Sequence, residues 1–289
     1  MAQATSSNEL MRVTPLALTT PPTPEARRDG SSVWELPSRH RWALRSTVNQ
    51  EQYLLHVATE ATGHRIEAQA AIEAATRHGL SSDQAQAVVG LLTADERIGR
   101  LVGPAGAGKT RALRAVADAW QRAGREVPGL TVSQAAAEVL AEGAHIRVEN
   151  TAKWRHESRS GRWSLPDAAL VIVDEASMIP TPDLVEVVSR VRDVGGRVLL
   201  VGDPNQLGAI TIGGSFDLLV DHHGASDLER VRRFENDCER QASLRLRQRH
   251  PLAILDYARH GRVHGGRTAA THAHVGEHER AGCPSVGTG

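Results

Sequence analysis

The chain has 289 residues, and its 34 lysine and arginine residues balance 34 aspartate and glutamate residues, so the formal net charge at pH 7 is zero. This balance excludes a protein that holds nucleic acid by bulk positive charge alone, although it permits a local arginine-lined groove. Two distant cysteines exclude a disulfide framework, and the sequence contains no apolar run of the length expected for a signal peptide or membrane span, which predicts a reduced cytoplasmic protein with no membrane partner.

The first 65 residues are interpreted as a linker and N-terminal extension. Residues 13–32 contain prolines among threonines and charged residues, a composition typical of linkers. An alanine-rich stretch from Glu67 to His78 then predicts a helix, which leads into a second alanine-rich helix near Gln84.

The most specific motif lies at residues 103–110, which read Gly-Pro-Ala-Gly-Ala-Gly-Lys-Thr, a complete G-x-x-x-x-G-K-[ST] phosphate loop. It follows a short apolar strand predicted over residues 98–102. The alternative is a glycine-rich turn with a chance lysine. Composition favours a phosphate-binding loop over a chance lysine. Lys109 and Lys153 are the only lysines in the sequence, and Lys109 stands at the lysine position of the motif.

Each residue type in this motif suits a bound triphosphate. The glycines allow a tight turn that brings backbone N–H groups against phosphate oxygens, and the helix that begins near Lys109 directs its positive end at the same anion. We expect Lys109 to pair with the β- and γ-phosphates of ATP and Thr110 to hold Mg²⁺. The glycines expected to contact the nucleotide are Gly103, Gly106 and Gly108.

A pair of carboxylates follows a continuous apolar run at residues 169–173, which predicts a parallel strand buried on both faces. Ligands bind at the carboxyl ends of strands in open α/β sheets. Asp174 therefore suits the Mg²⁺-holding role, and Glu175 is placed to orient or deprotonate the attacking water. The alternative is two solvated acids that open the next helix.

A glutamine follows the next buried strand, predicted over residues 197–201. The stretch Gly-Asp-Pro-Asn-Gln at residues 202–206 forms a rigid turn, so Gln206 could reach the γ-phosphate and sense its presence. In isolation such a turn is a common connection between secondary-structure elements.

Buried strands alternate with helices from residue 98 to about 221. Further strands and helices are predicted near 127–132, 134–142, 182–193 and 215–221. This alternation predicts an α/β fold, a RecA-like P-loop NTPase core whose parallel sheet carries helices on both faces, flanked by disordered termini.

On these motifs the chain resembles the superfamily 1 DNA helicases, and most closely the RecD-like motor part of MobF-type conjugative relaxases. The resemblance runs from about residue 80 to 266. It implies that Gln84 contacts adenine, that residues 129–137 contact single-stranded DNA as motif Ia, and that residues 150–154 match the segment that follows in relaxase helicases. Residues 228–234 resemble motif IV, which implies that Arg233, with Arg232 as the second choice, reaches the γ-phosphate.

The resemblance implies a two-domain motor, but only its first domain is recognised. Residues 66–225 are assigned to motor domain 1A with its preceding helix, residues 226–266 to the start of a second motor domain, and residues 267–289 to a disordered tail. A metal site from the histidines and the cysteine of this tail is disfavoured, because it has no ligand pair at finger spacing. Trp154 and Trp163 could stack on bases or fill the core.

The leading hypothesis is therefore an ATP-binding and hydrolysing motor domain of a DNA helicase that acts on single-stranded DNA in conjugative transfer, lacking most of the second motor domain. A second motor domain or relaxase components would complete it in trans. The alternative is a nucleotide- or single-stranded-DNA-binding module without helicase activity of its own. A small-molecule kinase is disfavoured by residues 202–206, and nicking activity is not predicted because no three-histidine site is present.

Overall fold

A computed structural model describes residues 9–13, 42–104, 106–206 and 213–228, and singly Ala242, Arg245 and Ala258. Its centre is a six-stranded sheet in which every pairing is parallel, in the order β5-β4-β6-β7-β3-β8. The strands are β3 (Ile98–Val102), β4 (Gly129–Thr131), β5 (Val148–Asn150), β6 (Leu170–Val173), β7 (Arg197–Gly202) and β8 (Ser226–Asp227).

Eight α-helices accompany the sheet in the described residues, together with a short 3₁₀ helix at Ala176–Met178. The helices are α1 (Arg45–Ala58), α2 (Ala68–Arg77), α3 (Ser82–Thr93), α4 (Lys109–Arg122), α5 (Gln134–Ala144), α6 (Thr151–Arg159), α7 (Thr181–Asp193) and α8 (Ser215–His223). A separate two-stranded antiparallel ribbon pairs β1 (Leu10–Arg12) with β2 (Trp42–Leu44) immediately before α1.

The sheet is buried on both faces because alternate strand residues face opposite helical layers. On one face, Leu101, Ile172 and Leu199 pack with the apolar residues of α2 to α5. On the other, Val171 and Leu200 pack with those of α1, α6, α7 and α8. The predicted α/β fold with helices on both faces is confirmed.

Local sequence signals fix several helix starts. Ser81 and Gln84 form a capping box at the start of α3, in which each side chain satisfies the other's backbone. The Ser133 and Asn150 side chains accept hydrogen bonds from Ala136 N and Lys153 N at the starts of α5 and α6. These caps hold the loops at the carboxyl edge of the sheet in fixed positions.

Two elements that belong to the core or the central sheet lie outside residues 66–225, the range that the sequence predicted to form the motor domain. Helix α1 lies within the segment interpreted as linker and N-terminal extension, yet Leu54, Val57 and Ala58 are fully buried against the sheet layer. Strand β8 begins after the domain boundary predicted at residue 225 and pairs with β3. The assignment of residues 226–266 to a second motor domain stays a prediction, since nearly all of them lie outside the described residues.

None of the helices in the described part of the chain combines the length and apolarity needed to cross a membrane.

Candidate nucleotide-binding site

Three neighbouring strands carry the predicted motifs to one edge of the sheet. Strand β7 lies between β3, which precedes the phosphate loop, and β6, which precedes the carboxylates. Gly103 N at the start of the loop donates a hydrogen bond to Gly202 O at the end of β7 (3.2 Å), so the two loops leave the sheet side by side. The chain crosses from β3 over two strands to β4, which makes this edge a topological switch point.

The phosphate loop turns through two glycines in the left-handed region. Gly106 has φ of 80° and Gly108 has φ of 83°, conformations that side chains other than glycine rarely adopt. Gly108 is the N-terminal cap of α4, so the positive end of this helix lies at the loop. The loop therefore has the backbone shape that an anion requires.

Lys109 lies over this loop. Its Nζ donates a hydrogen bond to Gly103 O (2.8 Å), and its positive charge opposes the rise in the pKa of both Asp174 and Glu175. The structure thus brings the lysine of the phosphate loop and the two predicted carboxylates into one electrostatic cluster.

The two carboxylates are held in different ways. Asp174 accepts a hydrogen bond from Glu175 N at Oδ1 (2.9 Å), and burial raises the pKa of Asp174. Burial, followed by the negative charge of Asp174, raises the pKa of Glu175. Glu175 has φ of 54°, a left-handed conformation that carries backbone strain in a residue other than glycine and that is often found at functional sites.

A cavity of about 390 Å³ opens beside the carboxylates. Thr110, Ser133, Asp174 and Glu175 line it together with the apolar side chains of α5. Thr110 sits against α5 at a point of close contact, where a Cβ on Gly143 would collide with its methyl group. The hydroxyl predicted to hold Mg²⁺ and both carboxylates therefore border one open space.

Gln206 follows β7 and is held by the carboxylate of Asp203. Its backbone N donates to Asp203 O (3.0 Å), and its Nε2 donates to Asp203 Oδ2 (3.4 Å). Asn205 N donates to Asp203 Oδ1 (3.0 Å), and Asp203 is only 3% exposed. Asp203 was missed as a site residue, although an aspartate before a proline in a turn is a recognised signal for such side-chain-to-backbone bonding.

Gln84 makes contacts that the motif resemblance did not include. Its side chain is 2% exposed, and its Nε2 donates to Ala107 O (3.2 Å) and Gly108 O (3.4 Å) of the phosphate loop. Its Oε1 accepts from the hydroxyl of Ser81 (3.0 Å). Gln84 thus connects the start of α3 to the loop, and its expected contact with adenine stays a prediction.

The other residues singled out from the sequence lie either outside the described residues or in the core. Arg233 and its second choice Arg232 lie outside the described residues, as do the histidines of the tail. Trp154 and Trp163 are 0% and 5% exposed and belong to the core cluster that contains α6 and α7, which favours the core-filling alternative for both.

The donor set fits a nucleotide with its magnesium ion. The loop, with its glycines in the left-handed region, offers backbone N–H groups to phosphate oxygens, and Lys109 adds a positive charge. A threonine hydroxyl near a carboxylate suits a hard divalent cation. Glycine is sterically required at the centre of this cradle, because a Cβ on Gly108 would overlap the Gln84 amide.

The parallel sheet, its switch point and the phosphate loop together define a RecA-like P-loop NTPase core. Residues 79–268 match the family described as AAA domain, which is about two thirds of the chain. The chain belongs to this AAA domain family.

Curated relatives extend the comparison. The chain is 35% identical over 203 residues to the conjugal transfer protein TraA of Agrobacterium fabrum, a match over 69% of this chain and 18% of that protein. It is 32% identical over 246 residues to the conjugal transfer protein TraA of Rhizobium radiobacter, over 84% of this chain and 22% of that protein. The resemblance to the motor part of conjugative relaxases is confirmed, and the chain spans about one fifth of the length of these relatives.

Among solved structures, a complex of arterivirus nonstructural protein 10 (helicase) with DNA aligns with 19% identity and a TM-score of 0.32. The alignment covers 46% of this chain and 35% of the viral one, a similarity too low to carry an argument about function.

Proposed function

We propose that the chain is the ATP-binding and hydrolysing part of a DNA motor that acts on single-stranded DNA during conjugative transfer. One observation carries the proposal. Thr110, Asp174 and Glu175 line one cavity at the carboxyl edge of the sheet, and the positive charge of Lys109 acts on both carboxylates. Phosphoryl transfer to water uses groups of these kinds.

The residues divide the work by their chemistry. The loop N–H groups and Lys109 bind the β- and γ-phosphates, and Thr110 with Asp174 holds the magnesium ion. Glu175, whose strained backbone sets it apart from Asp174, orients the attacking water and accepts its proton. When bound, magnesium and ATP supply the divalent charge and the phosphoanhydride bond whose cleavage releases free energy.

The elevated pKa of Glu175 suits this role. Burial and the neighbouring Asp174 both make its carboxylate more basic than an ordinary surface glutamate. A more basic carboxylate is a better proton acceptor, provided that it is ionised at the working pH.

The coupling of ATP hydrolysis to DNA is assigned to segments next to the candidate nucleotide site. Gln206, whose side chain donates to Asp203, would report the γ-phosphate to the segment that follows β7. Arg233, from a second motor domain or one supplied in trans, would stabilise charge on the transferred phosphoryl group. Residues 129–137, which include the α5 cap, are proposed to contact single-stranded DNA.

The first test is Lys109→Ala, measured as Mg·ATP affinity by calorimetry. Loss of a charge-assisted contact with the phosphates should weaken binding by about 10- to 100-fold. The matched control is Lys153→Ala, since Lys153 pairs with Glu149 on the surface of α6. Equal affinity in both variants would show that the loop does not hold the triphosphate.

The alternative is a module that binds nucleotide or single-stranded DNA without helicase activity of its own. DNA-stimulated ATP hydrolysis separates the two proposals. Hydrolysis by the chain alone that is lost in Glu175→Gln, with nucleotide affinity retained, supports the motor. Nucleotide binding with no hydrolysis, with or without DNA, supports the module.

A further inference from the structure

A second cavity, of about 420 Å³, lies at the opposite edge of the sheet. Its walls come from the chain that links the end of α4 to β4 and from the chain that leads into β6, so it faces the amino ends of these strands. The phosphate loop and the carboxylates lie at the carboxyl ends, so this cavity is separate from the candidate nucleotide site.

Two arginines in this cavity are held by tryptophans and not by carboxylates. The guanidinium of Arg147 lies over the Trp163 ring at 3.8 Å from the ring centre, and that of Arg125 lies over the Trp120 ring at 5.1 Å. Among the described residues neither arginine forms an ion pair. Both guanidinium groups lie within cation–π distance of a tryptophan ring, an arrangement that leaves N–H groups free of carboxylates in the described part of the chain.

One N–H group of Arg125 is removed from solvent. Nη1 of Arg125 is buried and has no hydrogen-bond partner within the described part of the chain. A buried charged donor without a partner is costly, and native structures rarely keep one without a reason. Because Nη1 is itself enclosed by protein, an anion in the cavity would contact the other N–H groups of Arg125, which lines the cavity.

The local charge also favours an anion. Glu126 is the acidic residue of the lining, and its side chain is exposed. On the inner side, burial and then the positive charge of Arg125 lower the pKa of the nearby His64. The lining contains two arginines and one glutamate, so its charge is net positive.

The remaining lining suits more than a bare anion. Gln121 and Ser164 supply neutral hydrogen-bonding groups, while Val127, Pro128 and Pro166 supply apolar walls. A cavity of this volume is several times larger than a phosphate group and falls within the usual range for organic ligands. A guanidinium already stacked on tryptophan presents its second face to a further planar ring.

We propose that this cavity, the arginine-tryptophan cavity, binds a nucleoside monophosphate unit. The phosphate lies between Arg125 and Arg147, and the base lies against the outer face of a stacked guanidinium. The unit is either a free nucleotide or one residue of a nucleic-acid strand, since both present the same phosphate and base. The proposal does not rest on ATP hydrolysis at the other edge.

The test uses the full chain carrying Lys109→Ala, so that the phosphate loop contributes little. Calorimetry measures thymidine 5′-monophosphate, thymidine and an oligothymidylate of eight nucleotides. We expect the monophosphate to bind at least about tenfold more tightly than thymidine, because the phosphate makes the charge-assisted contacts. Tighter binding of the oligonucleotide assigns the site to a strand, and equal binding per site assigns it to free nucleotide.

Substitutions locate the binding. Arg147→Gln, at an exposed position, and Arg125→Gln should each weaken binding of the tighter probe by at least about tenfold. Arg114→Gln, an exposed arginine on α4 outside the cavity, should leave it unchanged. Absence of binding by both phosphate-bearing probes, or binding that survives both cavity substitutions, overturns the proposal.

Discussion

At the scale of single residues, Gln84 joins two parts of the site that are distant in sequence. Its amide nitrogen donates to two carbonyls of the phosphate loop, and its amide oxygen accepts from Ser81. Removal of this buried amide should be costly, because the loop carbonyls and the helix cap each lose one hydrogen-bond partner. The contacts favour a bracing role for Gln84.

Gln84→Ala should therefore weaken ATP and GTP binding by a similar factor, about three- to tenfold, since one modest hydrogen-bonded connection is lost. Competition with a fluorescent nucleotide measures both affinities. Gln86→Ala, two positions further along α3, is the control. A loss restricted to ATP would instead support the contact with adenine.

The raised pKa of Asp174 predicts that the stability of the protein depends on pH. Burial raises the pKa of Asp174 in the folded protein above the ordinary value of 3.8. As pH rises above 3.8, the unfolded chain releases this proton first, so the free energy of unfolding falls until the pH passes the pKa of Asp174 in the folded protein. Asp174→Asn removes this loss. We expect the nucleotide-free variant to have a Tm about 2–4 °C higher at pH 7, the shift that about 1 kcal/mol produces in a domain of this size.

This gain should be smaller at pH 4, closer to the ordinary pKa of 3.8, because a larger share of the native Asp174 is then protonated. Thermal melts at both pH values measure it, with the exposed Asp167→Asn as control. A variant that is less stable than the native chain at pH 7 would mean that Asp174 is stabilised by contacts stronger than its burial cost.

The sequence predicts the candidate site residues, whereas some of their contacts could not be predicted. Lys109 and Asp174 are predicted because binding of phosphate and magnesium requires particular residue types at fixed spacing. Gln84 is predicted from its motif, but its contact with the loop depends on how α3 packs beside α4. The buried Asp203 was missed because its role arises only when the turn after β7 closes on it.

At the scale of elements, the long apolar strands and the helices between them were predicted within a few residues. Several elements were not, among them α1, β5 and β8. Helix α1 mixes polar residues with Tyr53, Leu54 and Leu55, so its apolar face gives a weak periodic signal. Strand β5 has three residues with a glutamate at its centre, and β8 has two. Short strands rely on their neighbours for pairing, which a linear pattern does not show.

Helices α6 and α7 are joined by a charged cluster centred on Glu186. Arg159 contacts it at 2.6 Å and Arg155 at 2.9 Å. The hydrogen bond from Arg159, followed by that from Arg155, lowers the pKa of Glu186 from 4.5 to about 2. The cluster holds α6, whose Trp154 fills the core, against the helix that follows the carboxylates.

Glu186→Gln should destabilise the protein by about 1 kcal/mol at pH 7, a modest figure because the cluster is partly exposed to solvent. The lowered pKa means that the stabilisation is complete above about pH 4.5 and disappears as pH falls through about 2. Urea unfolding at pH 7 and pH 2.5 tests this, with the exposed Glu138→Gln as control. An effect of equal size at both pH values would contradict the ionic origin.

At the scale of the whole molecule, the sheet order explains why distant motifs meet. Placing β7 between β3 and β6 directs the phosphate loop, the Gln206 turn and the two acids to one edge. The opposite edge carries the arginine-tryptophan cavity. The two proposed anion-binding sites therefore lie at opposite edges of the sheet.

The central claim is that this edge of the sheet cradles magnesium and a triphosphate. A crystal structure of the chain with Mg²⁺ and a nonhydrolysable ATP analogue tests it most directly. We predict phosphates against the backbone of residues 103–110, with Lys109 moved from Gly103 O to a phosphate oxygen and the metal between Thr110 and Asp174. A nucleotide bound away from the ends of β3, β6 and β7, or phosphates that leave Lys109 on Gly103 O, would contradict the account.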